Sequence, residues 1–326
     1  MATSLTSTDL TPPDLTKAIC LACRSTHVEF WANAYDVEYC AVPETFSYVR
    51  CLNCNTLSIV NPPIHRLAEI YPETYYSFGD QGASFVGKVK EWLDRRAFGK
   101  IFSGVKGSRI SALDVGGGAG WLLTLAKSIE PRITETMVVD LDAAAESLAH
   151  AAGHDFYLGP VETYETDRRF DVIFMLNLIE HVADPVDVLK KMKGLLAPGG
   201  VIFVKTPNHD SLDARLFRKR SWGGLHCPRH WVIFSPESFS RSASLAGLKV
   251  SSLKMTQGAP FWAVSVLEWM SRKGLAKIDK QHPMVRHPLF GPLTAILAMF
   301  DFLRLPFSRT SQMFVTMEAA PTDGKF

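Results

Sequence analysis

The stretch "LDVGGGAGWLL", residues 113–123, places three consecutive glycines, and a fourth two residues later, directly behind Asp114. It joins an apolar run typical of a buried strand to an apolar-periodic helix, so the glycines form the turn between them. Glycine allows a tight turn and lets a ligand approach the main chain closely, and the helix N-terminus offers free N–H groups. The stretch therefore predicts a site for a nucleotide-type cofactor.

Two details separate this loop from a dinucleotide-binding fingerprint. That pattern, G-x-G-x-x-G, requires glycine or alanine where Trp121 stands, and the charge of Asp114 would repel a pyrophosphate. Asp140 ends the next predicted strand, 20 residues beyond Gly120, where a carboxylate can accept both hydroxyls of a ribose. An adenosine that carries an amino acid satisfies these features together.

From residue 108 onward, apolar strands alternate with helices. The predicted strands are "ISALDV", "TMVVD", "FDVIFML", "VIFVKTP", "LKVSSLKM" and "SQMFVTMEA". The helix "PVDVLKKMKGLLAPGG" has Asp184 as its expected N-cap and Pro185 at its first position, and a Pro-Gly-Gly turn follows it. This alternation predicts an α/β, doubly wound, mostly parallel sheet, whose ligands bind at the carboxyl ends of the strands.

Four of the six cysteines form two C-x-x-C pairs with 27 residues between them. Four thiolates suit a closed, tetrahedral zinc site that is structural and not catalytic, and a disulfide is the weaker interpretation because nothing indicates an oxidising compartment. The expected zinc ligands are Cys20, Cys23, Cys51 and Cys54. Cys40 and Cys227 lie outside the pattern and are predicted to be buried thiols.

Composition indicates a globular protein of 326 residues with 47% hydrophobic and 21% charged residues. A net charge of +2 gives no overall attraction to nucleic acid, and the absence of a signal-type or bilayer-spanning apolar run predicts a cytoplasmic protein. We expect a disordered start (1–17), a zinc-ribbon-like unit (18–60), a helical connector (61–107) and an α/β domain (108–326). Within the connector, a helix with one apolar face is predicted around residues 85–93.

The pattern D-x-G-x-G-x-G from Asp114 to Gly120, the acid Asp140 and the segment "FDVIFMLNLIEHVADPVDVLKKMKGLLAPGGVIFVKTPN" resemble class I S-adenosylmethionine-dependent methyltransferases over residues 108–255. The cysteine pairs followed by "NPP" and "IYPETYY", and the later "PRHWVIFSPESFSRSASLAGLKV", resemble the zinc-ribbon extension of one branch of that family. The resemblance implies a seven-stranded Rossmann-like methyltransferase sheet, S-adenosylmethionine as cofactor and a structural Zn²⁺.

The resemblance also implies roles for individual residues. The loop glycines approach the methionine and ribose portions, Asp140 holds the ribose, and Asp114 orients the loop and the amino group or only braces the loop. Many relatives carry an acid near the adenine after the third strand, where this chain has Pro160 and Val161, so backbone contacts or Glu162 serve instead. The expected cofactor-binding residues are Asp114, Gly116, Gly118, Gly120, Asp140, Glu162 and Asn177.

A sulfonium methyl is already a good electrophile, so catalysis by in-line displacement rests mainly on holding donor and acceptor together. A sugar hydroxyl would benefit from a general base, whereas an amine or a stabilised carbanion would not need one. The candidate bases are His181, beside the expected cleft, and His226 and His230, in the loop after the fifth strand. The alternative for each is an ordinary hydrogen-bonding histidine.

The segment "ARLFRKRSWGGLHCPRH" contains five cations and no acid between Asp213 and Glu237: Arg215, Arg218, Lys219, Arg220 and Arg229. It is either a solvated basic face or a clamp for an anionic acceptor such as a nucleotide-sugar or a lipid-linked glycan. An insertion at about 258–310 is predicted to be helical and rich in aromatic residues and cations. It is either a helical cap that packs on the substrate cleft or on a second subunit, or an interfacial helix pair that touches a membrane or a lipid-linked acceptor.

Three classes of function follow. The preferred one is a methyltransferase for a small-molecule acceptor, with a sugar or glycan-type hydroxyl first and a lipid or quinone-like acceptor at the membrane surface as an alternative. A nucleic-acid methyltransferase is disfavoured because "NLIEHV" stands where such enzymes carry an Asn/Asp-Pro-Pro-aromatic element. A non-catalytic binding module is disfavoured by the intact glycine loop and ribose acid. Oligomeric state is left open.

Overall fold

The computed structural model describes residues 14–72, 95, 98–99, 101–219 and 222–321 of the chain. The strands of this part are, in chain order, β1 (Val28–Tyr35), β2 (Thr45–Cys51), β3 (Leu57–Ile59), β4 (Ile110–Val115), β5 (Ile133–Asp140), β6 (Asp155–Leu158), β7 (Phe170–Leu176), β8 (Leu196–Pro207), β9 (Val232–Ile233), β10 (Leu248–Thr256) and β11 (Gln312–Ala319). Besides a four-residue helix, Leu67–Ile70, the α-helices are α1 (Trp121–Ile129), α2 (Ala143–Ala151), α3 (Pro185–Leu195), α4 (Leu212–Phe217), α5 (Pro236–Leu245), α6 (Ala259–Arg272) and α7 (Phe290–Arg304). The helix predicted around residues 85–93 lies outside the described residues.

The larger sheet has seven strands in the order β10-β11-β8-β7-β4-β5-β6. Strand β11 runs antiparallel to its neighbours β8 and β10, and the pairs among β8, β7, β4, β5 and β6 are parallel. Strand β5 lies on one side of β4, and β7, which follows later in the chain, lies on the other side. The strand order therefore reverses at β4, and ligands of such sheets bind at this switch point. The predicted mostly parallel, Rossmann-like seven-stranded sheet is confirmed.

Successive residues of the central strands belong to two different cores. Leu113 and Met137 pack in one core, whereas Ala112 and Val138 pack in the other. Because side chains alternate along a strand, this division shows that both faces of the sheet are covered. The doubly wound arrangement follows from it.

Helix α3 begins and ends close to its predicted limits. The carboxylate of Asp184 accepts a hydrogen bond from the Asp187 N–H, and Pro185 occupies the first turn, as predicted. The predicted Pro-Gly-Gly turn lies inside a strand instead, because β8 already begins at Leu196, which pairs with Phe170 of β7.

The smaller sheet has the order β1-β2-β3-β9. Its first three strands come from the cysteine-bearing N-terminal segment, and its fourth comes from the segment after the basic stretch. Leu57 pairs with Ile233, and Ser58 pairs with Val232. The N-terminal unit therefore shares its sheet with a segment that lies more than a hundred residues further along the chain.

The insertion before β11 consists of α6 and α7, which pack against each other. Asp301, the one buried residue of the fully described helix α7, accepts hydrogen bonds from the Gly258 N–H and the Trp262 indole. Phe290 and Leu293 of α7 are half-buried against a small core cluster, whereas many other apolar side chains of α7 and of the residues after it are exposed. They include Ile296, Met299, Phe300, Phe302, Leu303 and Phe307.

Candidate active site

The glycine loop connects β4 to α1 and has a left-handed backbone at three positions: φ is +75° at Gly116, +51° at Gly118 and +79° at Gly120. A Cβ atom at Gly120 would lie 2.4 Å from the His154 ring, so this glycine is required by packing. A Cβ atom at Gly118 would meet nothing within 4 Å. Gly118 therefore faces the open space in which a cofactor would lie against the backbone.

Asp114 lies beneath the loop and not in the open cleft. It is buried, and a Cβ atom at Gly117 would come within 2.5 Å of its Oδ2 atom. Burial, together with repulsion from Asp140, raises the pKa of Asp114 to about 8. A cationic group placed nearby would reverse this effect by favouring the ionised carboxylate.

Asp140 ends β5 and contacts the same loop. Its Oδ2 atom accepts a hydrogen bond from the Gly118 N–H at 2.7 Å, and its Oδ1 atom accepts one from the Asp142 N–H at 2.9 Å. Each carboxylate oxygen can accept a second hydrogen bond, so the position leaves capacity for a diol.

The two remaining expected cofactor residues lie at neighbouring strand ends. Glu162 is exposed in the 3-10 turn Val161–Thr163, after β6. Asn177 follows β7 with φ of +53°, and its Oδ1 atom accepts a hydrogen bond from Gln312. The next residue, Leu178, would lie 3.0 Å from a Cβ atom at Gly116, so this turn covers the glycine loop.

The four expected zinc ligands come together. The ligand atoms of Cys20, Cys23, Cys51 and Cys54 all lie within 4.8 Å of one another. Both C-x-x-C turns have the same form: the residue after the second cysteine is left-handed, and its N–H donates to the carbonyl of the first. These residues are Arg24, with φ of +60°, and Asn55, also with φ of +60°.

The chemistry of this donor set fits a structural zinc ion. All four thiols are free, and burial raises the pKa of Cys23 to about 11. Four sulfurs this close cannot all ionise by themselves, whereas a divalent cation deprotonates coordinating thiols. Of the two cysteines outside the pattern, Cys227 is buried, as predicted, and Cys40 is half-buried.

The three candidate histidines also come together, although they come from distant segments. The ring centroid of His181 lies 4.8 Å from that of His230 and 6.4 Å from that of His226, and the last two centroids are 4.9 Å apart. His226 and His230 are buried, so the accessible loop that the sequence suggested is part of the interior.

Each imidazole is held through its Nδ1 atom. His181 lies 3.0 Å from the carbonyl of Arg229 and 2.8 Å from the hydroxyl of Tyr71. His230 lies 2.8 Å from the carbonyl of Gly224, and His226 lies 2.7 Å from the Glu38 carboxylate. Burial lowers the pKa of His181 to about 3 and that of His230 well below its ordinary value. At neutral pH, the rings of His181 and His230 are therefore uncharged and bind a proton weakly.

Glu180 completes this cluster, and the motif analysis did not single it out. It is fully buried, its Oε2 atom accepts a hydrogen bond from Thr206, and its Oε1 atom has no hydrogen-bond partner among the described residues. Burial raises the pKa of Glu180 to about 8. Its position immediately before His181 was the available sequence signal.

The N-terminal unit holds the histidine segment in place. The guanidinium of Arg229 is fully buried, with Nη2 2.9 Å and Nη1 3.1 Å from the two oxygens of Asp36. The hydroxyl of Tyr48 donates to the carbonyl of His230 at 3.0 Å. The position of the histidine segment therefore depends on residues of the N-terminal unit.

The described arginines of the basic segment do not form the expected open phosphate clamp. Arg229 binds Asp36, Arg215 pairs with Asp210 at 2.6 Å, and Arg218 donates to the carbonyl of Trp31. Lys219 is exposed, and Arg220 lies outside the described residues. Arg218 and Arg229 are therefore engaged within the protein, whereas Arg215 belongs to an exposed ion pair.

Comparison with known proteins shows which family the chain resembles in sequence. The family described as "Methyltransferase domain" matches residues 87–253. Among curated proteins, the chain is 27% identical over 181 residues to a ubiquinone biosynthesis O-methyltransferase of Bordetella avium, covering 50% of this chain and 69% of that protein. A protein of the same name from Aeromonas salmonicida is 29% identical over 174 residues, covering 48% of this chain and 69% of the relative.

Among solved structures, the fold is similar to that of coclaurine N-methyltransferase bound to N-methylheliamine and SAH. The TM-score is 0.50 at 14% sequence identity, and the match covers 79% of this chain and 81% of the other. At this identity the likeness concerns the fold.

Proposed function

This chain belongs to the class I S-adenosylmethionine-dependent methyltransferases, and from that premise we propose that it methylates a hydroxyl group on a lipophilic, quinone-type small molecule at a membrane surface. The observation that carries the choice of acceptor is the exposed apolar surface of α7. The name shared by the curated relatives, ubiquinone biosynthesis O-methyltransferase, agrees with this choice.

The exposed surface of α7 is unusual for a helix of a globular protein. Phe302 is 66% exposed, Ile296 is 66% exposed, and Phe307, just beyond the helix, is 87% exposed. An apolar patch of this kind is typical of a surface that binds a membrane or another partner, because transferring each exposed apolar side chain out of water is favourable. No helix among the described residues has the length and apolar character that crossing a bilayer requires, so the proposed contact is peripheral.

The helix pair extends from this surface to the histidine cluster. Trp262 of α6 packs edge-on against Phe300 of α7, with ring centroids 5.6 Å apart. Phe261, at the start of α6, packs edge-on against the His230 ring at 6.4 Å. The exposed surface of α7 and the histidine cluster are therefore connected through packed aromatic side chains of α6.

The acidity of the acceptor also favours a phenol over a sugar. A phenolic hydroxyl ionises near pH 10, whereas a sugar hydroxyl is a much weaker acid. The neutral, weakly basic imidazoles of His181 and His230 are poor partners for the weaker acid. The sugar or glycan acceptor expected from the sequence also loses its supposed phosphate clamp.

The test is methyl transfer from labelled S-adenosylmethionine to matched acceptors: a dihydroxybenzene with a polyprenyl tail in liposomes, the same ring without the tail, a nucleotide-sugar and a mixed RNA pool. We expect label on the tailed ring. A Phe302→Ser/Phe307→Ser double variant should slow this reaction by about tenfold or more while leaving the rate with the tailless ring unchanged. Leu148→Ser, which changes an exposed apolar residue of α2, is the matched control. Label on the sugar or RNA alone would contradict the proposal.

A further inference from the structure

We propose that Glu180, His181 and His230 together bind one divalent transition-metal ion, separate from the four-cysteine site. Each of the three side chains offers one ligand atom, and these atoms all lie within 4.8 Å of one another. Metal–ligand bonds of about 2.0–2.2 Å would bring such atoms to about 3–3.5 Å from one another, so small side-chain movements complete the site.

The carboxylate of Glu180 points to a missing partner. Its Oε1 atom is buried and has no hydrogen-bond partner among the described residues, and Nε2 of the uncharged His230 ring is 3.9 Å away. That separation is too long for a hydrogen bond. An unsatisfied buried carboxylate oxygen is costly, and a bound cation is one of the few groups that satisfies it.

The imidazoles are oriented as metal ligands are. The Nδ1 atom of His181 faces the carbonyl of Arg229, and the Nδ1 atom of His230 faces the carbonyl of Gly224. A carbonyl oxygen only accepts hydrogen bonds, so the neutral ring of His230 carries its hydrogen on Nδ1 and keeps a lone pair on Nε2. The Nδ1 atom of His181 also lies 2.8 Å from the hydroxyl of Tyr71, and the same tautomer lets this hydroxyl and the Arg229 carbonyl both accept from Nδ1. A backbone carbonyl that fixes the tautomer in this way is typical of histidines that bind metals.

The donor set indicates the kind of ion that would bind and how many of its coordination positions would stay open. Two imidazoles and one carboxylate suit zinc, iron(II) or cobalt(II) better than magnesium or calcium, which prefer oxygen ligands. Three protein ligands leave at least one coordination position open, unlike the four thiolates. A role for that position in binding an acceptor oxygen rests on the proposed function, whereas the site itself rests on the geometry alone.

The test is to add Co²⁺ to the full-length, metal-stripped protein and to monitor its binding by metal content and visible absorption. Two Co²⁺ ions per chain are expected, one with sulfur-to-cobalt charge-transfer bands and one without them. Glu180→Gln and His230→Asn should each lower the affinity for the second Co²⁺ ion by at least about tenfold and leave the thiolate bands intact. Cys20→Ser should remove the thiolate bands and keep the second ion.

The matched control is His150→Asn. His150 and Glu146 form an exposed pair with the same 3.9 Å separation, and its loss should leave both ions bound. The thiolate bands report whether the four-cysteine site of each variant is folded. If Glu180→Gln does not fold, the affinity of His230→Asn for the second ion tests the inference. One ion per chain in the wild-type protein, or two ions of unchanged affinity in both variants, would overturn the inference. Two bound ions with no methylated phenol would instead contradict the proposed function alone.

Discussion

The glycine loop and the histidine cluster lie at the same edge of one sheet but are built in opposite ways. The loop is a contiguous stretch between β4 and α1, and its shape depends on the backbone. The cluster depends on side chains far apart in sequence, such as Glu38 and His226, which are 188 positions apart. The comparison teaches that the shape of the glycine loop is locally determined, whereas the histidine cluster requires the N-terminal unit to be folded.

The largest effect should come from breaking the four-cysteine site. Cys51→Ser is expected to lower the free energy of unfolding by about 4 kcal/mol or more, because loss of a structural metal belongs to the most damaging changes. Since β2 and β3 carry the contacts that hold β9 and the histidine segment, methyl transfer should be lost. Affinity for S-adenosylhomocysteine (SAH), the demethylated cofactor, should change less than about threefold. Urea unfolding and calorimetric titration measure the two quantities.

The control for this prediction is Cys40→Ser, which changes a half-buried thiol outside the C-x-x-C pairs. It should leave the zinc content at one equivalent or more and cost about 1 kcal/mol or less. Equal loss of SAH binding and methyl transfer in Cys51→Ser would show that the glycine loop and the histidine cluster are not independent.

Gly120→Ala should have the opposite effect to Cys51→Ser: it should weaken SAH binding and leave the four-cysteine site intact. The side chain would meet His154, whose two ring nitrogens lie 2.9 Å from the hydroxyls of Thr124 and Thr136, so the ring cannot easily move. We expect a loss of about 3 kcal/mol in unfolding free energy, and SAH binding at least tenfold weaker. The thiolate bands of the cobalt-loaded protein should be unchanged.

Gly153→Ala is the matched control, because Gly153 has the same φ of +79° and open space around its Cα atom. It carries the backbone strain without the clash and should cost about 1–2 kcal/mol, with normal SAH affinity. Identical losses for the two variants would mean that backbone strain alone, and not the packing against His154, explains the requirement for glycine.

This contrast also explains what the sequence predicted and what it did not. The α/β sheet and the Asp184 cap follow from local patterns, and the structure contains both. The pairing of β3 with β9 leaves no local pattern, because a two-residue strand has no periodicity of its own. The burial of Arg229 against Asp36 is equally invisible, so the arginines of that segment resembled a free basic surface. Glu180 was not predicted because its position before His181, the one signal in the sequence, does not show that its carboxylate is buried.

The smallest effect concerns Asp114 and depends on pH. Its carboxyl keeps its proton up to about pH 8 in the folded protein but loses it near pH 3.8 when unfolded. The native state therefore binds more protons between these values, and unfolding free energy should fall as pH rises, by up to about 1.4 kcal/mol per unit. Asp114→Asn should remove this contribution, so wild type and variant should diverge by about 2 kcal/mol between pH 6 and pH 8 in urea unfolding.

Bound cofactor should reduce the same pH dependence. The amino group of SAH, if it lies near Asp114, favours the carboxylate and lowers the pKa of Asp114, so the proton is released on binding. Wild-type affinity for SAH should then rise between pH 6 and pH 8, and that of Asp114→Asn should be weaker and flatter. Parallel pH profiles for the two proteins would restrict Asp114 to bracing the glycine loop, and the loop would then recognise the cofactor through its backbone and Asp140 alone.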